Sequence, residues 1–343
     1  MSAATQDILV IGPSWVGDMV MAQSLFMNLR KLKPDVTIDV VAPVWSLDLL
    51  ARMPEVRETY VLDAGHGELG LRKRWRLAKR LKTRNYQRAV ILPRSFKSAL
   101  IPFWAGIPVR TGFNAELRYG LLNDRRKLDA ALDQTVKRFV ALGYEQTVIP
   151  SGTDCPLPQL AVDKENIARL FEQLRLDADK PAVALMPGAE YGPAKQWPTE
   201  YFRQLAEQLT ANGFAVWILG SQKEIELGRQ IASDVKRDII NLCGRTRLVD
   251  AVDLLASAAA AVSNDSGLMH VAAAVNVPLV AVYGSSSPVF TPPLKPDAII
   301  HYLSIECSPC FDRTCRFGHY RCLKEITVPQ ILESVLTVAA RRE

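Results

Sequence analysis

The stretch Val262-Ser263-Asn264-Asp265-Ser266-Gly267-Leu268-Met269-His270 decides how the chain is read. Upstream, Ala258 to Val262 is small and apolar and ends on a β-branched residue. Downstream, Leu268 to Val275 is small and apolar at helical spacing. That order predicts a buried strand, a sharp turn and a helix. Asp265 then lies at the carboxyl end of the strand. Ser266 and Gly267 open the helix, where unpaired backbone N–H groups point outward and attract phosphate. Gly267 has no side chain to hold an anion away from the backbone. The alternative is that Asp265 or Ser266 only caps the helix.

The same rhythm surrounds this turn. Pro181 to Met186, Phe214 to Leu219, Asn241 to Cys243 and Pro278 to Tyr283 read as strands. They exit into Pro187-Gly188-Ala189-Glu190, Gly220-Ser221, Gly244 and Gly284-Ser285-Ser286-Ser287. Glu200 to Leu209 and Leu248 to Ser257 read as helices, and Glu224 lies in the first turn of another. In an open parallel sheet such strand ends line one edge, and ligands bind there.

The first half repeats the pattern. Asp7 to Pro13, Thr37 to Pro43, Tyr60 to Leu62 and Arg88 to Pro93 are expected strands, and Gly17 to Leu29 is an expected helix. Gly12-Pro13-Ser14-Trp15-Val16-Gly17-Asp18 joins the first strand to that helix. It is neither a GxGxxG fingerprint nor a Walker A loop. Asp18 is either a favourable helix-end charge or a group placed for chemistry. Arg94 and Lys97 follow a strand end and face either an anionic substrate or solvent. Glu68 to Arg84 is strongly basic, with Leu71, Trp75, Ala78 and Leu81 expected on one helical face. That face docks on the sheet or meets an anionic membrane surface. Gly106 to Asp124 reads as short strands and loops, and Asp133 to Leu142 as a helix. Tyr144 to Leu160 holds three prolines and one glycine without periodicity, and is the expected linker.

The 343 residues are too many for one ordinary core, so two α/β domains are expected. No apolar run is long enough to span a bilayer. Met1 to Asp7 does not read as a signal peptide, which makes the cytoplasm the default. The net charge of +6 favours anionic partners. Nucleic acid is not indicated, because no binding motif is present and few aromatics interleave the basic residues.

Five motifs occur in order: the Gly12–Asp18 turn, Pro187–Glu190, Ala194-Lys195-Gln196-Trp197-Pro198, Asn264–His270 and Tyr283–Pro288. Together they resemble the ADP-heptose:lipopolysaccharide heptosyltransferases, most closely the heptosyltransferase II type. Arg94 to Leu100 and Arg118 to Asp124 are similar to that type as well, and the resemblance spans nearly the whole chain. It implies a GT-B glycosyltransferase with two Rossmann-like domains facing a cleft. Residues 1–160 would form an N-terminal acceptor domain and 161–326 a C-terminal donor domain. A helix within 327–343 would return to the first domain.

The implied reaction is inverting transfer of L-glycero-D-manno-heptose from ADP-heptose to the heptose I residue of the lipid A-linked inner core. It would take place at the cytoplasmic face of the inner membrane, with the enzyme bound peripherally. The resemblance makes Asp18 the general base. It assigns Gly188, Lys195, Glu224, Asp265, Ser266, Gly267 and Leu268 to the donor, with Lys195 also catalytic. Ser14, Trp15, Arg94, Lys97 and Arg118 fall to the acceptor. His270 is either part of the donor turn or a packed histidine. No cofactor is expected for catalysis, since a lysine and helix-terminal amides can stabilise departing ADP. Other readings are a heptosyltransferase of I or III type acceptor specificity, or an inactive nucleotide-binding protein. Asp18 and Lys195 together argue against the last.

Four of the six cysteines, Cys307, Cys310, Cys315 and Cys322, fall in one short segment with His319 among them. The spacing makes them candidate structural zinc ligands. Free thiols, a disulfide or an iron–sulfur site are the alternatives.

Overall fold

The structure is a computed structural model that describes residues 7–65, 67–145, 155–232 and 238–342. Residues 1–6, at the start expected to lack a signal peptide, lie outside the described residues. So does most of the expected linker, 146–154. The chain divides into two compact units, Met1–Pro158 and Gln159–Glu343.

In the first unit the strands are β1 (Asp7–Ile11), β2 (Thr37–Ala42), β3 (Val56–Val61), β4 (Arg88–Ile91), β5 (Val109–Phe113) and β6 (Asp124–Arg126). They form one sheet in the order β3-β2-β1-β4-β5-β6, and every pairing is parallel. The second unit has β7 (Ala182–Met186), β8 (Ala215–Ile218), β9 (Ile239–Asn241), β10 (Ala260–Asn264), β11 (Leu279–Val282) and β12 (Ile299–His301). Its order, β12-β11-β10-β7-β8-β9, is the same doubly wound topology. Strands β7, β8, β10 and β11 are buried along their whole length, as strands covered by helices on both faces must be.

Several boundaries differ from expectation for physical reasons. Strand β10 starts two residues later than its apolar run, because Ala258 still closes the preceding helix Leu248–Ser257. Strand β9 is Ile239–Asn241 rather than Asn241–Cys243. The edge strand β3 reaches back to Val56 through Arg57, Glu58 and Thr59, a polar run paired on β2. The basic helix Leu71–Lys82 is rotated relative to its expected face. It buries Arg74, Leu77, Ala78 and Leu81, while Leu71 and Trp75 are each 48% exposed. The Arg74 Nε is accommodated by donating to Leu69 O at 2.8 Å.

Within the second unit, the C-terminal helix Val328–Ala339 packs on the core. Its Ile331, Val335 and Val338 join the core formed by Phe202, Val262 and Val280. A capping box at Thr327 and Gln330 starts it. Among the described residues no helix is long and apolar enough to cross a membrane.

Candidate functional site

Each sheet has its switch point where the winding direction reverses, between β1 and β4 in the first unit and between β7 and β10 in the second. The loops leaving those four strands carry most of the residues singled out from sequence, where an open α/β sheet binds its ligands.

In the first unit the chain turns from β1 at Gly12, whose N–H donates to Val41 O at 2.9 Å. A Cβ there would lie 2.8 Å from Met19 Cε and 3.2 Å from Val41 O, so a larger residue would make the Met19 side chain shift. Ser14 and Trp15 are exposed beyond it. Asp18 sits in the first turn of the helix Val16–Leu32 and is partly exposed, at the electropositive end. After β4, Arg94 is exposed, and Lys97 Nζ donates to Glu68 O at 3.1 Å.

Arg118, expected at the acceptor, is turned inward. It is 2% exposed, and Nη1 donates to Pro93 O at 2.8 Å. Nη2 donates to Phe113 O. Burial lowers its pKa to about 10. Its guanidinium braces the loop that carries Arg94 and Lys97.

In the second unit the loop after β7 runs from Pro187 to Trp197. Asn264, at the end of β10, holds it at both ends. Its Nδ2 donates to Pro187 O at 2.7 Å, and its Oδ1 accepts from Trp197 N at 3.0 Å. Lys195 lies in this loop. Its Nζ is 2.5 Å from Asp265 Oδ2, with side chains 17% and 5% exposed. The helix Gly267–Ala274 begins beside this pair, and Ser266 at its N-cap makes no side-chain capping bond. The simple capping alternative therefore does not hold for Ser266. A lysine ammonium and an uncapped helix terminus together suit a diphosphate. Asp265 belongs to this group as the anchor of Lys195, since a carboxylate against phosphate would otherwise repel it.

Gly188 and Glu224 are packed against each other, and a Cβ on Gly188 would fall 1.8 Å from Glu224 Oε1. Glu224 is oriented by a reciprocal cap in which Ser221 N donates to its Oε2 at 2.5 Å. Gly267 and Leu268 are partly exposed at the helix start. His270 is 4% exposed, and its Nδ1 has no partner among the described residues. Burial lowers its pKa to about 4, with the Lys195 charge acting in the same direction and Asp265 opposing. It is therefore a neutral, packed imidazole at neutral pH. Sequence reasoning left Asn264, Ser285 and Ser286 without roles. Both serines are buried at the exit of β11, with hydroxyls that have no partner among the described residues. The small polar run after that strand was the available signal.

The cysteines converge in part. Cys307, Cys310, Cys315 and Cys322 line one cavity of about 20 Å³ together with His319. All are free thiols. Among the described residues, no three His, Cys, Asp or Glu side chains are drawn together closely enough to hold an ion as they stand.

Comparison with known proteins agrees with this geometry. Residues 74–321 match glycosyltransferase family 9 (heptosyltransferase). The chain is 44% identical to lipopolysaccharide heptosyltransferase 2 of Escherichia coli K12 over 345 aligned residues, covering 98% of this chain and 99% of that protein. Lipooligosaccharide heptosyltransferase 2 of Haemophilus influenzae is 43% identical, with coverage of 98% and 100%. The solved E. coli ADP-heptose lps heptosyltransferase II superposes with a TM-score of 0.89 at 42% identity, covering 98% of this chain and 99% of that one. The two Rossmann-like units are those of the GT-B fold. The chain thus belongs to glycosyltransferase family 9, as an ADP-heptose-dependent heptosyltransferase of the heptosyltransferase II type.

Proposed function

We propose that the chain transfers L-glycero-D-manno-heptose from ADP-heptose to the heptose I residue of the lipid A-linked inner core, with inversion. The observation that carries this reading is the Lys195–Asp265 pair beside an uncapped helix start, on the switch-point edge of the second unit. Gly188, Glu224, Ser266, Gly267 and Leu268 surround the nucleotide and its diphosphate. Asp18, in the first unit, takes the proton from the acceptor hydroxyl as that oxygen bonds to the anomeric carbon. The bond from that carbon to the phosphate oxygen breaks, and ADP leaves with the electron pair. Lys195 and the helix amides stabilise the departing charge, so this step requires no metal ion. Ser14, Trp15, Arg94 and Lys97 are the acceptor-side contacts, with Arg118 holding their loop.

The membrane surface enters the same proposal. Leu71 and Trp75 stand exposed among Arg72, Lys73, Arg76, Lys79 and Lys82, a combination suited to anionic head groups. The enzyme then works peripherally at the cytoplasmic face of the inner membrane, where its lipid-linked acceptor lies.

Transfer of labelled heptose to purified core acceptors ending at Kdo, heptose I or heptose II tests the assignment. Product is expected from the heptose I-terminated acceptor. Preferential transfer to the Kdo-terminated acceptor would assign a type I specificity. Transfer to none, with ADP still bound, would reduce the chain to a nucleotide-binding protein.

A further inference from the structure

We propose that Cys307, Cys310, Cys315 and Cys322 form a thiolate site for one divalent ion of the zinc class, and that this site braces the loop carrying Lys195. The second part rests on the donor-site reading given above.

The four thiols belong to a stretch that needs a staple. Between β12 and the short helix Arg321–Lys324, residues 302–320 contain no helix or strand. A run of this length inside a compact unit is normally held by something other than backbone ladders. Its four cysteines, with His319, surround a cavity of about 20 Å³, close to the volume of a single small ion or water. None is spent in a disulfide. In a tetrahedral zinc site the sulfurs lie roughly 2.3 Å from the metal. The thiols are not yet that close, so they must turn inward about their χ1 bonds when the ion enters.

The backbone turns tightly just after Cys315. Gly318 adopts φ +71°, which lets the turn close tightly, and its N–H reaches Cys315 O at 3.0 Å.

The same segment is hydrogen-bonded to both sides of the donor loop. Ala194 N donates to Arg313 O at 3.0 Å, and Ser285 N donates to Ala194 O at 3.0 Å. Phe311 N donates to Ser285 O at 2.7 Å, and Tyr191 Oη donates to Phe311 O at 2.5 Å. Ser308 Oγ donates to Gly284 O at 2.6 Å. A Cβ on Gly192 would lie 2.4 Å from Arg313 O, so the two backbones are in direct contact. Lys195 Nζ in turn sits 4.9 Å over the Tyr191 ring. Arg313 and Phe311 lie between Cys310 and Cys315, so ordering the cysteines orders the partners of the Lys195 loop.

The test uses the full-length chain, expressed in zinc-supplemented medium and purified anaerobically without metal-affinity steps. Elemental analysis should show about one equivalent of metal per chain. Cobalt exchanged into the site should give the intense thiolate charge-transfer and d–d bands of tetrahedral coordination. Removing the ion with a mercurial and chelator should release four titratable thiols. It should also weaken ADP binding roughly tenfold, read by calorimetry, while circular dichroism shows the fold retained. Restoring zinc should restore affinity, and C315S should mimic removal. Metal-free protein with four freely reactive thiols, or with disulfides found by mass spectrometry, overturns the site. A metal whose removal leaves ADP affinity unchanged overturns the brace. A metal-loaded chain that binds no ADP at all counts against the donor-site reading, because metal content and the cobalt spectrum do not depend on the nucleotide.

Discussion

Replacing Lys195 with alanine removes two things at once. The ammonium lies 2.5 Å from a carboxylate that is only 5% exposed. Deleting it leaves Asp265 buried without its counter-charge, a change that costs about 3–5 kcal/mol in well-buried pairs. Lys195 is 17% exposed, so water partly replaces it and the lower end, about 3 kcal/mol, is expected. The catalytic loss is separate. A desolvated contact to the departing diphosphate is worth roughly 2–4 kcal/mol, which lowers kcat/KM by about 30- to 1000-fold. The double variant K195A/D265N separates the two. Removing the carboxylate's charge should return most of the lost stability, read as the midpoint of urea unfolding, while transfer from ADP-heptose stays low. If the double variant is as unstable as K195A, the pair is not the electrostatic unit described. If K195A alone turns over at the wild-type rate, Lys195 does not touch the reacting phosphate.

Three further outcomes are expected. D18N should fold and bind ADP normally but turn over at least roughly 10²-fold more slowly, the scale of a positioned base; undiminished transfer would remove Asp18 from the mechanism. G188A places a methyl group 1.8 Å from the Glu224 carboxylate, so Glu224 must shift, and the KM for ADP-heptose should rise more than kcat falls; equal parameters in wild type and variant would show Glu224 to be free of the nucleotide. His270 has its pKa depressed to about 4 by burial, against about 6.5 in the unfolded chain, so the unfolded chain binds the extra proton between those values. Its contribution is therefore full above pH 6.5 and is lost as pH falls toward 4, by roughly 3 kcal/mol; H270N should flatten the acid limb of stability, and an unchanged limb would mean the imidazole is not held neutral.

The parts of the fold legible in sequence were those where one force dominates. Strands β7, β8 and β11 are unbroken apolar runs because helices cover both faces, and a run of that kind leaves little ambiguity. Edge strands were harder. Half of β3 is polar, and β12 is only Ile299–His301 with an exposed centre, so neither presents a period to read. Only Ala78 and Leu81 of the expected face of helix Leu71–Lys82 turn inward; Leu71 and Trp75 are apolar yet lie outward, while Arg74 is taken in by the carbonyl of Leu69 just before the helix. The surroundings of Arg118 were hidden for a similar reason. A guanidinium near a strand end looks the same in sequence whether it meets a ligand or closes on Pro93 and Phe113 carbonyls. The placement of Lys195, Asp265 and Gly267 together at one sheet edge was legible because all three follow strand exits, and their roles toward the donor are the proposal made above.

Asn264 has a consequence for how far Lys195 can wander. Its one amide group holds Pro187 and Trp197, the two feet of the donor loop. That makes the loop a closed ring rather than a strand tethered at distant points. Bringing together the ends of about ten residues costs roughly 2 kcal/mol of chain entropy, beyond a constant term. Here the folded core supplies the closure, before any substrate arrives. The ammonium of Lys195 is thus confined to the small volume such a ring can sweep, and under the proposed donor assignment its effective concentration at the diphosphate is set by a side chain buried at the end of β10.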